Sequence, residues 1–303
     1  MEGQVMDVRE KPSLTHEDVI SLNFIQSPGQ YYFRRHYRMG LRSHIMEVLT
    51  PQALALEKNG VLKDGIKHYP RARPSRMLRI FRTRFASLKE AEEEIGRVKI
   101  VQQYLSPKFV AQSEEFLVNY KRGERFEILL CGLQTYVEGE ILDPWTPAQH
   151  HPIEDLLKRM ASSPIAGQIE ELVATPYQNI LTFVARIKKM VQEVRHIPDL
   201  AGVGNLLLTA EGDIMLVDIN NISPVTFSSD IPIDDRGYPV CDKSVQALFL
   251  LEKKVKGHFI APNEPLYEHF LDPARITEVL RLERKFHMEK STNFSYRPET
   301  QIV

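Results

Sequence analysis

Residues 199–218 read DLAGVGNLLLTAEGDIMLVD, and this stretch decides the fold. Leu206–Leu208 and Ile214–Val217 are short apolar runs separated by the polar segment Thr209-Ala210-Glu211-Gly212-Asp213. Two such runs around a glycine-bearing turn predict a β-hairpin. Folding the ribbon back brings Asn205, just before the first strand, beside Asp218, just after the second. Asp199 lies in the loop that feeds the same end. An amide oxygen and a carboxylate are hard ligands of the kind Mg²⁺ takes, with phosphate oxygens and water completing its shell. A further carboxylate can accept a proton from an attacking hydroxyl. The grouping reads as a phosphoryl-transfer site; the plainer alternative is a solvated hairpin with polar residues at its turns.

This stretch resembles the catalytic core of the protein-kinase-like superfamily, whose pattern is H-R-D-x-x-x-x-N, a hairpin, then D-F-G. The resemblance implies that Asp199 is the catalytic aspartate and that Asn205 and Asp218 hold the metal. The thirteen-residue step from Asn205 to Asp218 fits that spacing. Five residues rather than four separate Asp199 from Asn205, His196 precedes Asp199 by three places rather than two, and Ile219-Asn220 replaces Phe-Gly. Gly202 and Gly204 can absorb the extra residue through backbone angles closed to other residues.

Upstream, FEILLCGLQTYVEGE at 126–140 is an apolar strand running into Tyr-Val-Glu-Gly, about sixty residues before Asp199. It is similar to the last strand of a kinase amino-terminal lobe entering the hinge, which implies adenine contacts at Gln134 and Tyr136. By itself it reads equally well as a buried strand ending at a glycine turn. Met77–Phe85 is a strand, and Ser87 with Glu90 forms a capping box for a helix reaching about Leu105. In the family such a strand carries a phosphate-gripping lysine, and the helix a glutamate that orients it. Here Arg79 occupies the lysine's context, with Glu94 as the helix acid; the alternative is a set of solubilising strand-edge arginines. A glycine-rich phosphate loop is missing. The resemblance favours the bacterial, atypical small-molecule or lipopolysaccharide-core kinases over Ser/Thr kinases, and it implies ATP and Mg²⁺ as cofactors with an unidentified hydroxyl acceptor. The lost lysine supports a second reading, a pseudokinase acting as a nucleotide-binding or regulatory module.

The 303 residues exceed a usual single core, so two lobes are expected. The predicted fold is α+β and bilobed, with a small β-rich N-lobe and a mostly helical C-lobe. The expected divisions are an N-terminal extension at 1–50, partly mobile; N-lobe and hinge at 51–139; C-lobe at 140–290; and a disordered tail at 291–303. Two cysteines, Cys131 and Cys241, exclude a disulfide scaffold. No apolar run is long enough to span a bilayer and no secretory signal opens the chain, so a cytoplasmic location is expected. A near-zero formal charge argues against a whole-molecule polyanion binder. Residues 31–84 nevertheless carry thirteen Lys and Arg against three acids. A solvated basic face is one reading and nucleic-acid binding a weaker alternative.

Elsewhere, apolar spacing predicts a helix over Tyr37–Leu49, and Asn59-Gly60 predicts a turn between two strands within 52–70. Further helices are expected at Ile153–Met160, Ile165–Val173, Tyr177–His196, Lys243–Lys256 and from Pro273 to Lys285. His150-His151 on a loop reads as solvated rather than metal-binding.

Overall fold

The computed structural model describes residues 6–37, 40, 42–147, 152–160, 169–256 and 264–294. It is a mixed α/β chain that divides into two compact units. The first comprises 1–100 and 111–137; the second comprises 101–110 and 138–303.

The first unit opens with helix α1 (His16–Ile20), whose Thr15 and Asp18 form a reciprocal capping box. Strands β1 (Tyr32–Arg35) and β2 (Ser43–Leu49) follow, then helix α2 (Pro51–Asn59). A hairpin of β3 (Val61–Lys63) and β4 (Ile66–His68) leads to β5 (Arg76–Phe81) and helix α3 (Leu88–Leu105). Strands β6 (Ser113–Arg122) and β7 (Arg125–Thr135) complete it. The main sheet is antiparallel with order β1-β2-β5-β7-β6. The sheet thus joins strands on both sides of α3, a non-sequential pairing that local pattern does not reveal.

Three expectations are corrected here. The 37–49 segment is not a helix: β2 is buried on both faces, so its apolar residues lose the alternation that marks a half-exposed strand. Asn59-Gly60 does not turn between strands but closes α2, which Thr50 caps by accepting from the Ala53 N–H and which ends on Gly60 at φ +71°. The hairpin turn falls instead at Asp64-Gly65, both with positive φ. Nor is the start of the chain a loose extension, from residue 6 onward. Val8, Leu14, Val19 and Leu22 share a core with Phe33, Met46, Leu78, Ile80 and Leu129. Asp7, with its side chain fully buried, is gripped by Arg9 and Arg84. Apolar residues spaced too irregularly for a periodic pattern conceal this packing in the sequence.

The second unit holds β8 (Glu140–Ile141), α4 (Pro152–Met160) and the long α5 (Ile169–Val194). Strand β9 (His196–Pro198), the hairpin β10 (Leu206–Leu208) and β11 (Ile214–Leu216), and β12 (Ile222–Pro224) follow. Helices α6 (Val240–Lys256), α7 (Pro265–Phe270) and α8 (Pro273–Phe294) end the described chain. Strand β10 is flanked by β11 and β8, and β9 pairs with β12. Ile180, Phe183, Val184, Ile187 and Val191 of α5 are buried at helical spacing. Pro176 lies inside α5 instead of preceding it, so one helix runs where a short helix at Ile165–Val173 and a longer one at Tyr177–His196 were expected. Helix α8 runs past Lys285 to Phe294, into the expected tail; residues 295–303 and His150-His151 fall outside the described residues. Among the described residues no helix is long and apolar enough to cross a membrane.

Candidate functional site

The hairpin forms with the expected register, Leu206 opposite Leu216 and Leu208 opposite Ile214. Its turn is tied to α5: the Asn179 Nδ2 donates to the Gly212 carbonyl at 2.9 Å and to Asp213 Oδ1 at 3.0 Å. The apolar strand residues Leu206, Leu208, Ile214 and Leu216 are buried, and polar residues gather at the open end of the hairpin.

At that end the Val217 N–H donates to the Asn205 carbonyl at 2.9 Å, extending the ladder to the residue before Asp218. Pairing of β9 with β12 sets Asp199 beside Asn221, and the Asp199 N–H donates to the Asn221 carbonyl at 2.8 Å. The Asn205 Nδ2 donates to the Asp199 carbonyl at 2.9 Å, which turns its amide oxygen away from that bond. Asp199, Asn205 and Asp218 are therefore brought together, as the sequence predicts. Asn221 joins them, with its Nδ2 3.5 Å from Asp199 Oδ2. The only sequence signal for Asn221 was its place after the replaced Phe-Gly.

Gly202 is what lets the longer loop fit. A Cβ there would lie 2.5 Å from Asn205 Nδ2, too close for any side chain. Asp199 Oδ1 accepts from the Ala201 N–H at 2.9 Å and the Gly202 N–H at 3.1 Å, which pins the carboxylate to its own loop. Burial and then the neighbouring Asp218 charge push the Asp199 carboxyl up to about 6, against the pull of those two N–H groups. A carboxyl held near the working pH is suited to accept a proton in a reaction.

A polar wall stands nearby. The sole tryptophan, Trp145, donates its indole N–H to the Ala201 carbonyl at 3.0 Å. Lys243 of α6 sits 4.1 Å from the Trp145 ring centroid and 3.0 Å from Glu283 Oε2. Tyr238 donates to Glu283 Oε1 at 3.1 Å, and burial, then Glu283, then Asp199 push its phenol upward. The Leu200 N–H is received by the buried Ser244 hydroxyl at 3.2 Å. Sequence reasoning missed Lys243, Ser244 and Tyr238, because nothing in their local pattern ties them to residues forty positions away.

Among the described residues no cluster of three His, Cys, Asp or Glu side chains is poised for a metal. Two carboxylates and one amide oxygen are nonetheless a donor set suited to Mg²⁺, which binds through one or two carboxylates and leaves the rest to phosphates and water.

The residues assigned in the first unit behave differently. Arg79 is level with Gly132 of β7, which is in turn level with Glu115 of β6. Gly132 has no side chain to intervene, so the guanidinium reaches across to Glu115 at 2.6 Å and Ser113 Oγ at 2.8 Å. A Cβ on Gly132 would lie 3.1 Å from Arg79 Nη2. The expected Arg79–Glu94 pair is not made: Glu94 pairs with Arg97, one turn further along α3. Gln134 is buried in β7, and the Arg73 guanidinium lies 5.9 Å from the Tyr136 ring centroid.

No family model and no curated protein matches this chain. Among solved structures it is similar to a ROP18 kinase domain in complex with AMP-PNP and sucrose. The two share 10% identity and a TM-score of 0.36, over 88% of this chain and 83% of that one. A likeness this slight carries no weight for the site, which stands on its own geometry.

Proposed function

We propose that the chain is a kinase-like phosphotransferase that moves the γ-phosphoryl group of ATP to a hydroxyl. The observation that carries the reading is the convergence of Asp199, Asn205 and Asp218 at one end of a rigid hairpin. In this reading Asp199 orients the acceptor hydroxyl and takes its proton as the oxygen bonds to the γ-phosphorus and the bond to ADP breaks. Asn205 and Asp218 would hold Mg²⁺, whose charge offsets that of the phosphates when it is bound. Arg79, Glu94, Gln134 and Tyr136 enter the proposal as contacts for the nucleotide, within N-lobe 51–139, and 140–290 as the C-lobe. A raised Asp199 supports the base role, because its proton affinity lies where transfer is useful.

One observation favours the second reading, a pseudokinase that binds nucleotide without turnover. Arg79 stands in the lysine's place and is committed to Glu115.

Thermal-shift titration with ATP and Mg²⁺ tests the nucleotide site, since a ligand at a hundred times its Kd adds about 2.7 kcal/mol to stability. Asp218→Asn should remove the Mg²⁺-dependent part of the shift. Asp199→Asn should keep binding and lower transfer by about 10²- to 10⁴-fold, the usual weight of a general base. Binding without turnover above the Asp199→Asn background, on sugars, lipid-core fragments and protein acceptors, selects the pseudokinase. No shift with millimolar nucleotide rejects both.

A further inference from the structure

Residues 61–70, VLKDGIKHYP, are exposed without exception, and they include the whole β3–β4 hairpin. Helix α2, which leads into it, buries no residue either. Fifteen large apolar side chains are exposed among the described residues. Five of them, Leu56, Val61, Leu62, Ile66 and Tyr69, fall within the fourteen positions 56–69. Single exposed aliphatic groups are ordinary, whereas a cluster of them marks a contact surface.

The strand register spreads these groups over both faces of the hairpin. Val61 stands opposite His68 and Lys63 opposite Ile66, and these four share one face; Leu62, opposite Lys67, occupies the other. Tyr69 lies with Lys67, whose Nζ is 5.4 Å from the Tyr69 ring centroid. Each face therefore combines apolar groups with a lysine. The local charge is positive once internal pairs are set aside. Glu57 is engaged by Arg34 at 2.8 Å and by the Ala72 N–H, and Arg71 meets Glu47 at 3.0 Å. Lys58, Lys63 and Lys67 have no carboxylate partner among the described residues, and the one remaining acid is Asp64 at the turn.

We propose that this hairpin binds an anionic lipid surface. A protein partner docked on one face would leave the apolar groups of the other in water, whereas a headgroup layer surrounds an embedded ribbon on both. Aliphatic side chains gain by entering that layer, a tyrosine suits its boundary, and lysine stems reach from it to lipid phosphates. Nucleic acid also offers phosphates, but no apolar medium for Leu62 and Ile66. Strands of three residues are roughly 10 Å long, comparable with the depth to which interfacial segments sink. Asp64 at the turn opposes deeper entry, so the ribbon stays within the headgroup layer. The proposal uses no residue of the Asp199 group and does not depend on the phosphotransferase reading.

Co-sedimentation with phosphatidylcholine vesicles, with and without roughly one-third phosphatidylserine, tests the proposal. The protein should pellet with the anionic vesicles alone and be released by high salt. Each lysine near such a surface is worth about fivefold in binding, so Lys63→Gln with Lys67→Gln should weaken it about thirtyfold. Leu62→Ser with Ile66→Ser should weaken it by about tenfold or more. Both double variants should keep the wild-type thermal midpoint, because every altered side chain is exposed. Tyr69→Trp adds an indole to the hairpin, and its emission above the Trp145 background should shift to the blue with anionic vesicles. No pelleting with anionic vesicles, equal pelleting with neutral ones, or unchanged affinity in either double variant overturns the proposal. So does an unmoved Tyr69→Trp spectrum on vesicle-bound protein. Self-association abolished by Leu62→Ser with Ile66→Ser, without vesicle binding, would replace the lipid by a second copy of this chain. Salt-sensitive duplex DNA binding without vesicle binding would replace it by nucleic acid.

Discussion

Glu115→Ala tests how the chain uses Arg79. The two side chains are 2% and 3% exposed, and Arg79 Nη2 lies 2.6 Å from Glu115 Oε1. Unit charges at that separation attract by about 6 kcal/mol at an effective dielectric of 20, most of which only repays their removal from water. Deleting the carboxylate costs more than the pair's net worth, because a buried guanidinium then loses its counter-charge. Such breaks cost about 3–5 kcal/mol. The lower end is expected here, since the Ser113 hydroxyl remains as an acceptor. Glu115→Gln keeps the shape and one acceptor oxygen and should cost less. Arg79→Met with Glu115→Leu removes both charges and should recover most of the loss. Urea unfolding followed by far-UV circular dichroism is the assay, because the sole tryptophan, Trp145, lies in the second unit and does not report the first. A lower midpoint at constant slope is a change in stability. A cost within about 1 kcal/mol, the worth of an exposed ion pair, would refute the buried-pair reasoning. Nucleotide stabilisation that survives in the double variant would make Arg79 structural; its loss would return Arg79 to the phosphates.

Gly202→Ala should push the Asn205 amide out of place, because the new Cβ would stand 2.5 Å from Nδ2. A cost of about 1–3 kcal/mol is expected from such overpacking, and a thermal-shift assay should show the Mg²⁺-dependent response to ATP lost; a retained response would separate Gly202 from the site. Burial raises the Glu47 carboxyl, but hydrogen bonds from His36 and Arg34 and the charges of Arg34 and Arg71 outweigh it and hold the group at about 2. Because the folded value lies below the unfolded one, its contribution of about 3 kcal/mol is present above pH 4.5 and fades as pH falls toward 2. The stability difference between wild type and Glu47→Gln, measured from pH 7 down to 3, should shrink with acid, and a constant difference would contradict the pairing. Ser87→Ala removes the acceptor of the Glu90 N–H at 3.2 Å and should cost about 1 kcal/mol at the start of α3, read by thermal denaturation. No measurable loss there would mean that the cap is replaced by solvent.

Much of the second unit's candidate site was legible in the sequence because its geometry is local. Two apolar triplets around a glycine turn dictate a hairpin, and a hairpin dictates that Asn205 and Asp218 share an end. The same holds for α3, where Ser87 and Glu90 mark the start: Ser87 Oγ caps the Glu90 N–H, although the Glu90 carboxylate bonds the Ala86 N–H rather than that of Ser87. Helix α5 was visible through the spacing of Ile180, Val184, Ile187 and Val191, while its start was misplaced because proline usually opens a helix and Pro176 lies within this one.

Only tertiary structure decided which charge meets which. Arg79 and Glu115 are separated by a helix and part of a strand, and they meet because Gly132 leaves the sheet face clear between them. Strand β2 escaped notice because burial on both faces erases alternation, and the N-terminal segment escaped because its core residues follow no period. Tyr238, Lys243 and Glu283 likewise join one wall from distant parts of the chain. Periodicity records the one face an element buries against its neighbours; it carries no record of contacts between residues far apart in sequence, and those contacts set the charge, burial and proton affinity of the site.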